Sequence, residues 1–175
     1  MTYRDIIKGC RGQKQTAQLA YYELFAQALF TSAYRLLNSE WEAEEAVQEV
    51  LLQVLTNGSL LLDNQEAMHK RLRRMVINKS IDFLRKRKVS WEEWDDNLVT
   101  ETEESIEESL IRQEHLAHLR TAIAMMNEKD RTILLLAVVE ELDTAEISRL
   151  LGIKPASVRS QLSRAKQKLI KSYNI

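Results

Sequence analysis

The chain has 175 residues, 25 Lys and Arg against 26 Asp and Glu, and a formal net charge of −1, so it lacks a whole-protein basic signature for nucleic acid. Hydrophobic residues at 45% and charged residues at 29% exclude a disordered chain, and four Gly with one Pro exclude a loop-rich all-β chain. One Cys excludes an intramolecular disulfide framework, and the longest apolar run, Ile133 to Val139, is too short to cross a bilayer.

From the N-terminus onward the apolar spacing is helical. No apolar stretch follows Met1-Thr-Tyr-Arg-Asp as a secretory signal would require, so a cytoplasmic protein with no membrane insertion is expected. Leu19, Tyr22, Phe25, Leu29, Ala33 and Leu36 form one stripe. Ala43, Ala46, Val47, Val50, Leu51, Val54 and Leu55 form the next, with Ser39 as N-cap, Glu42 closing a capping box, and Asn57-Gly58 as stop. Met68, Leu72, Met75, Val76, Phe83 and Leu84 form a third, starting near Asp63. Residues 1–89 therefore read as a bundle of three long helices, with room for a short fourth at the start.

Residues 90–109 break the pattern. Trp91 and Trp94 stand among acids, and Thr100 to Glu108 is almost wholly polar, which is linker composition. A helix is expected to restart near Ser105 and run to Met126 through Ile111, Leu116, Leu119 and Ile123, followed by another from Glu128 to Glu140.

Residues 144–164 predict a helix-turn-helix. Asp143 or Thr144 caps a short helix whose inner side is Ala145, Ile147, Leu150 and Leu151. Gly152 allows a positive φ at the turn, Ile153 plugs the angle, and Pro155 stands at the first turn of the second helix, where a missing N–H costs nothing. Val158, Leu162, Ala165 and Leu169 face inward. Lys154, Ser157, Arg159, Ser160, Ser163, Arg164 and Lys166 face outward, a basic, short-side-chained surface of the kind that enters a major groove. The fold class is all-α: two small helical domains, 1–89 and 113–175, joined by an acidic linker, 90–112.

Charge by segment agrees with that division. Residues 1–89 carry +4, residues 90–114 carry −9 and residues 115–175 carry +4. Lys70 to Lys88 holds nine basic residues against Asp82, and Lys154 to Lys171 holds six basic residues and no acid. Each is a candidate phosphate-facing surface, because Lys and Arg release condensed counterions on meeting the backbone.

Taken together, Ala33-Tyr-Arg-Leu-Leu, Ala43-Glu-Glu-Ala-Val-Gln-Glu-Val, Asn78-Lys-Ser-Ile-Asp-Phe-Leu-Arg-Lys-Arg-Lys, Glu128-Lys-Asp-Arg-Thr-Ile-Leu-Leu-Leu and the helix-turn-helix, in this order, resemble the bacterial extracytoplasmic-function (ECF) sigma factors. The resemblance runs nearly end to end, with residues 1–89 similar to region 2 and 113–175 to region 4. It implies an initiation factor that binds core RNA polymerase and directs it to promoter DNA. Glu44, Glu45, Gln48 and Glu49 would meet the β′ clamp helices, and apolar surface near Leu134 to Val138 would meet the β flap, although that surface also reads as core. The loop from Asn57 to Glu66 and the helix after it would hold the melted minus-ten element, with Arg73, Arg74, Asn78, Lys79, Arg85, Lys86 and Arg87 as contacts. The helix-turn-helix would read the minus-thirty-five element, and the acidic linker would occupy the basic cleft of the polymerase. An anti-sigma factor is an expected partner.

The sequence departs from that family in places. Glu45 stands where Asp is usual, Leu51 and Leu55 where aromatics are frequent, and Arg71 and Arg73 where Trp and Tyr are frequent. An enzyme is not expected: there is no Gly-rich phosphate loop and no nucleophile elbow. His115 and His118 have no acidic partner at metal-ligand spacing and Cys10 has no nearby His, so no metal or cofactor is implied. The alternatives are a helix-turn-helix regulator that does not join polymerase, and a helical interaction protein that binds no DNA. The second basic run, Lys70 to Lys88, weighs against the simple regulator, which needs only one nucleic-acid surface.

Overall fold

A computed structural model of the chain describes residues 1–87 and 111–173. The chain divides into two compact units, Met1–Arg87 and Lys88–Ile175. The described residues form eight α-helices and no strand. Most of the expected acidic linker, with Trp91 and Trp94, lies outside the described residues.

The first unit begins with the short helix that the sequence leaves room for, α1 (Tyr3–Arg11). Thr2 and Asp5 close a capping box on it, and their hydrogen bonds, side chain first and then backbone, hold the Asp5 carboxyl below its ordinary range. Gly9 lets α1 lie hard against α2 (Gln15–Leu37): a Cβ on Gly9 would meet the Cβ of Ala17 at 2.4 Å. That close approach seats the start of α2, and the next two long helices pack along the same helix. Its buried stripe is Ala17, Tyr21, Phe25, Leu29, Ala33, Leu36 and Leu37, whereas Leu19 and Tyr22, expected in the core, are 58% and 39% exposed.

Ser39 caps α3 (Glu40–Thr56) by accepting from the Glu42 amide at 3.4 Å. The expected return bond of a capping box is absent, because the Glu42 carboxylate pairs with Arg87 instead. The helix buries Ala43, Ala46, Val47, Val50, Leu51 and Val54, while Leu55 is half-buried. After Asn57 the chain makes a 3-10 turn, Gly58–Leu60, and reaches α4 (Gln65–Lys86). Asn64 caps α4, accepting from the Ala67 amide at 2.8 Å, one residue beyond the expected Asp63, which is paired with Arg11. Met68, Leu72, Val76, Ile77, Ile81 and Leu84 fill the inner face of α4, and Met75 is only half-buried at its edge. Fully burying each Leu or Ile of this core is worth about 1.5–3 kcal/mol.

The second unit contains α5 (Ile111–Met125), α6 (Glu128–Val138), α7 (Thr144–Leu151) and α8 (Pro155–Tyr173). The expected start of α5 near Ser105 lies outside the described residues. Leu116, expected inward, is 50% exposed. Every residue of α6 from Asp130 to Leu136 is buried, so Leu134 to Leu136 are core and only Val138 of that segment stands open. The helix ends two residues before the expected Glu140, and Glu141 then takes a positive φ of 54°.

Candidate nucleic-acid interface

In the second unit a capped helix, a fixed turn and an open helix face are assembled in sequence. Asp143 accepts from the Glu146 amide at 2.8 Å and the Glu146 carboxylate accepts from the Asp143 amide at 3.1 Å, so the start of α7 is closed on both sides. Gly152 takes φ 71°, the left-handed conformation that a Cβ disfavours, and its N–H returns to the Ser148 carbonyl at 2.9 Å. The Ser148 hydroxyl donates to the Ile153 carbonyl at 2.6 Å, and Ile153 is buried in the angle. Pro155 is the first residue of α8, as expected.

Helix α8 buries Val158, Gln161 and Ala165, with Leu162 and Leu169 half-buried. Lys154, Arg159, Ser160, Ser163, Arg164 and Lys166 are exposed together on the other side. Ser157 departs from the expected set: it is half-buried, and its carbonyl accepts from the Ser160 hydroxyl at 3.1 Å. Ala145, expected inward on α7, is exposed, because the capping geometry turns Ile147 and Leu151 toward the core.

Behind this face lies a polar cluster that the apolar pattern does not reveal. Asp130, 2% exposed, accepts from Asn127 Nδ2 at 2.8 Å and from Lys168 Nζ at 3.0 Å. The buried Arg131 guanidinium donates to the carbonyls of Ala124 at 3.4 Å and Met126 at 3.2 Å, closing the C-terminus of α5. Lys168 thus ties α8 to α6, and its charge is committed inward. The nearest sequence signal was Asn127 followed three residues later by Asp130, an N-cap pattern that says nothing about α8.

In the first unit the cations of α4 have mixed surroundings. Asn78, Arg74 and Lys86 are exposed, and Arg73 is half-buried. Lys86 stands over the Phe83 ring, 5.3 Å from its centroid. Arg85 pairs with Asp82 at 3.0 Å. Lys79 pairs with Glu49 on α3. Arg87 pairs with Glu42 and donates to the Leu37 carbonyl at 3.1 Å, so it ties the end of α4 to the turn between α2 and α3. Lys70 holds Glu66 at 2.7 Å, and that bond and charge keep the Glu66 carboxyl below its ordinary range.

The loop before α4 is held at its backbone. Tyr3 Oη donates to the Leu62 carbonyl at 2.8 Å, Arg11 Nη2 to the Leu61 carbonyl at 3.2 Å and Arg71 Nη1 to the Leu60 carbonyl at 3.5 Å. Burial pushes the Tyr3 phenol up to about 12, so it remains a donor across the neutral range. Arg71 thus adds a third anchor to the loop, from α4 itself.

On α3, Glu44, Gln48 and Glu49 are exposed and Glu45 is half-buried. Exposed Trp41 and Leu52 flank them on the same helix, at 68% and 63%. No group of three or more His, Cys, Asp or Glu among the described residues could hold a metal ion. No helix of the described residues is long and apolar enough to cross a membrane.

Comparison with known proteins covers both units. Residues 21–89 match the family described as Sigma-70 region 2, and residues 116–169 match Sigma-70, region 4. The chain is 24% identical to the ECF RNA polymerase sigma factor SigW of Bacillus subtilis, covering 98% of this chain and 96% of that protein. It is 26% identical to the RNA polymerase sigma-E factor of Streptomyces avermitilis, covering 85% and 80%. The sigma factor RpoE of Bartonella quintana, solved in complex with the anti-sigma factor NepR, shares the fold at TM-score 0.53 and 17% identity, covering 89% of this chain and 96% of that one.

Proposed function

We propose that this chain, which belongs to the sigma-70 family as an extracytoplasmic-function factor, reads promoters through α8 and through α4 with its preceding loop. As a sigma factor it is a non-enzymatic initiation factor that binds core RNA polymerase and directs it to promoter DNA. In this reading Arg159, Ser160, Ser163 and Arg164 enter the major groove of the minus-thirty-five element, while Lys154 and Lys166 meet phosphates. Arg73, Arg74, Asn78, Arg85 and Lys86, with the loop 57–66, receive the melted minus-ten strand. Lys79 and Arg87 act there through the helix packing they hold, by way of Glu49 and Glu42.

The polar face of α3, Glu44, Glu45, Gln48 and Glu49, is the proposed seat of the β′ clamp helices, and the second unit that of the β flap. The division into domains 1–89 and 113–175, with the acidic segment 90–112 lying in the polymerase cleft, belongs to the same proposal. So do an anti-sigma partner, as the Bartonella quintana protein has, and a cytoplasmic location.

The observation that carries this reading is the open, cationic, small-side-chained face of α8 behind a fixed turn. Run-off transcription with reconstituted core polymerase and a selected promoter library tests it. Specific transcripts that vanish in an Arg159→Ala/Arg164→Ala variant are expected. Transcripts insensitive to that change would remove α8 from promoter reading.

A further inference from the structure

The loop between α3 and α4 has three consecutive backbone carbonyls, of Leu60, Leu61 and Leu62, each bonded to a different side chain. Two of those side chains, Arg11 and Tyr3, come from the N-terminal helix, about fifty to sixty residues away in sequence. Arg11 adds an ion pair to Asp63 at 2.9 Å, and the Leu62 amide donates to Met68 Sδ at 3.3 Å. Leu61 is 3% exposed and plugs the loop into the core, while Asn57, Ser59 and Asp63 remain exposed.

A surface loop normally leaves such carbonyls to water, and its backbone then samples many conformations. Here the carbonyl side is taken up by protein donors, so the opposite edge is presented in one conformation. Helix α1 is itself fixed, by its Thr2–Asp5 capping box at one end and by Gly9 against Ala17 at the other. The Tyr3 ring packs edge-on to Phe25 at 6.4 Å between centroids, and Phe25 in turn stacks on His69 of α4 at 6.2 Å. The donors are therefore mounted on a rigid support.

We propose that Tyr3 and Arg11 are positioning residues that strap the loop 57–64 from behind and pre-order its exposed edge for selective capture of a single-stranded promoter segment. The proposal rests on the reading of that loop as the minus-ten receptor. Pre-ordering means that the strand does not have to supply the ordering cost when it binds, so loss of the strap weakens the selected sequence more than any other strand.

The test uses the full chain reconstituted with core polymerase. Its probes are the non-template minus-ten strand of a promoter selected from a randomised library and the same strand scrambled. The variants are Tyr3→Phe, which keeps the ring and removes only the hydroxyl, and Arg11→Met, which keeps the stem and removes the donors. The double variant is expected to lower the ratio of selected to scrambled binding about tenfold, with faster amide exchange across 58–64. A general loss of stability would lower binding of both strands alike and leave the ratio unchanged. Ser59→Glu, at the exposed edge, serves as the control for the loop itself. If it lowers the ratio and the strap variants do not, the strap is overturned while the loop keeps its role. If neither lowers it, the loop does not meet the strand, and the proposal fails together with the reading beneath it.

Discussion

The basic runs of α4 and α8 look alike in the sequence and differ in the folded chain. In α4 much of the charge is engaged by neighbouring helices or by its own neighbours: Lys79 with Glu49, Arg85 with Asp82, Arg87 with Glu42 and the Leu37 carbonyl. In α8 the inward commitment falls on Lys168, near the C-terminal end, while Arg159 and Lys166 along the helix and Lys154 just before it are exposed. A count of Lys and Arg therefore overstates the free cationic surface of the first unit more than that of the second. Asp82 stands within the run itself, but Glu49 and Glu42 belong to α3 and lie far away in sequence.

The largest expected effect marks the inner boundary of the α8 surface. Lys168→Met leaves the buried Asp130 carboxylate without its cation; breaking a fully buried pair costs about 3–5 kcal/mol, and the partly exposed Lys168 side chain brings the expected loss down to about 2–3 kcal/mol. Denaturant unfolding of the full chain reads this loss. The comparison would break here if the variant kept its stability and lost DNA binding instead, because Lys168 would then belong to the outer face with Lys166.

Next in size is Arg159→Ala. An exposed Arg that meets a guanine edge contributes about 1–3 kcal/mol of discrimination at one base pair. The variant should relax minus-thirty-five preference at a single position in a promoter-library selection and leave unfolding unchanged. A uniform loss across all promoters would reassign Arg159 to the phosphates.

Arg87→Ala should behave in the opposite way. It removes the tie from α4 to Glu42 and to the Leu37 carbonyl, worth about 1 kcal/mol for a partly buried pair of this kind. Unfolding should register the loss, and a double-mutant cycle with Glu42→Ala should show the two changes to be non-additive. The salt dependence of holoenzyme binding to DNA should keep its slope. A lower slope would return Arg87 to the phosphate-contacting group.

What was legible in the sequence follows the range of the forces. Gly152, Ile153 and Pro155 announce their turn within a few residues, and the structure has it with the left-handed glycine and the helix start in place. Ser39 likewise caps α3. The rotation of α2 was not legible, because packing against α1, α3 and α4 together decides it and a stripe drawn through Leu19 and Tyr22 fits the helical period equally well. Nor was the role of Glu42: its spacing from Ser39 satisfies a capping box, yet a guanidinium 45 residues away takes the carboxylate. The Asp130–Lys168 tie, across 38 residues, escaped for the same reason. Local signals fixed element ends, and tertiary packing chose which charges stay available.

The smallest effect is also the most discriminating. Lys86 neighbours Arg87 and carries the same charge, yet it is exposed and stands over the Phe83 ring at 5.3 Å, where a cation–π contact holds it weakly. If it meets a phosphate of the promoter, Lys86→Ala should reduce the salt slope of holoenzyme binding by about 0.7–0.9, the lower figure applying to a single strand. Selected promoters should weaken alike, since a phosphate contact carries no base identity. Unfolding should shift by no more than about 0.5 kcal/mol, as for surface changes in general. Lys86→Ala and Arg87→Ala thus differ by one position and should separate completely, one in salt slope and the other in stability. Equal slopes for the two variants would mean that ion pairing in the free chain does not govern which α4 cations reach DNA, and the contrast with α8 would lose its basis.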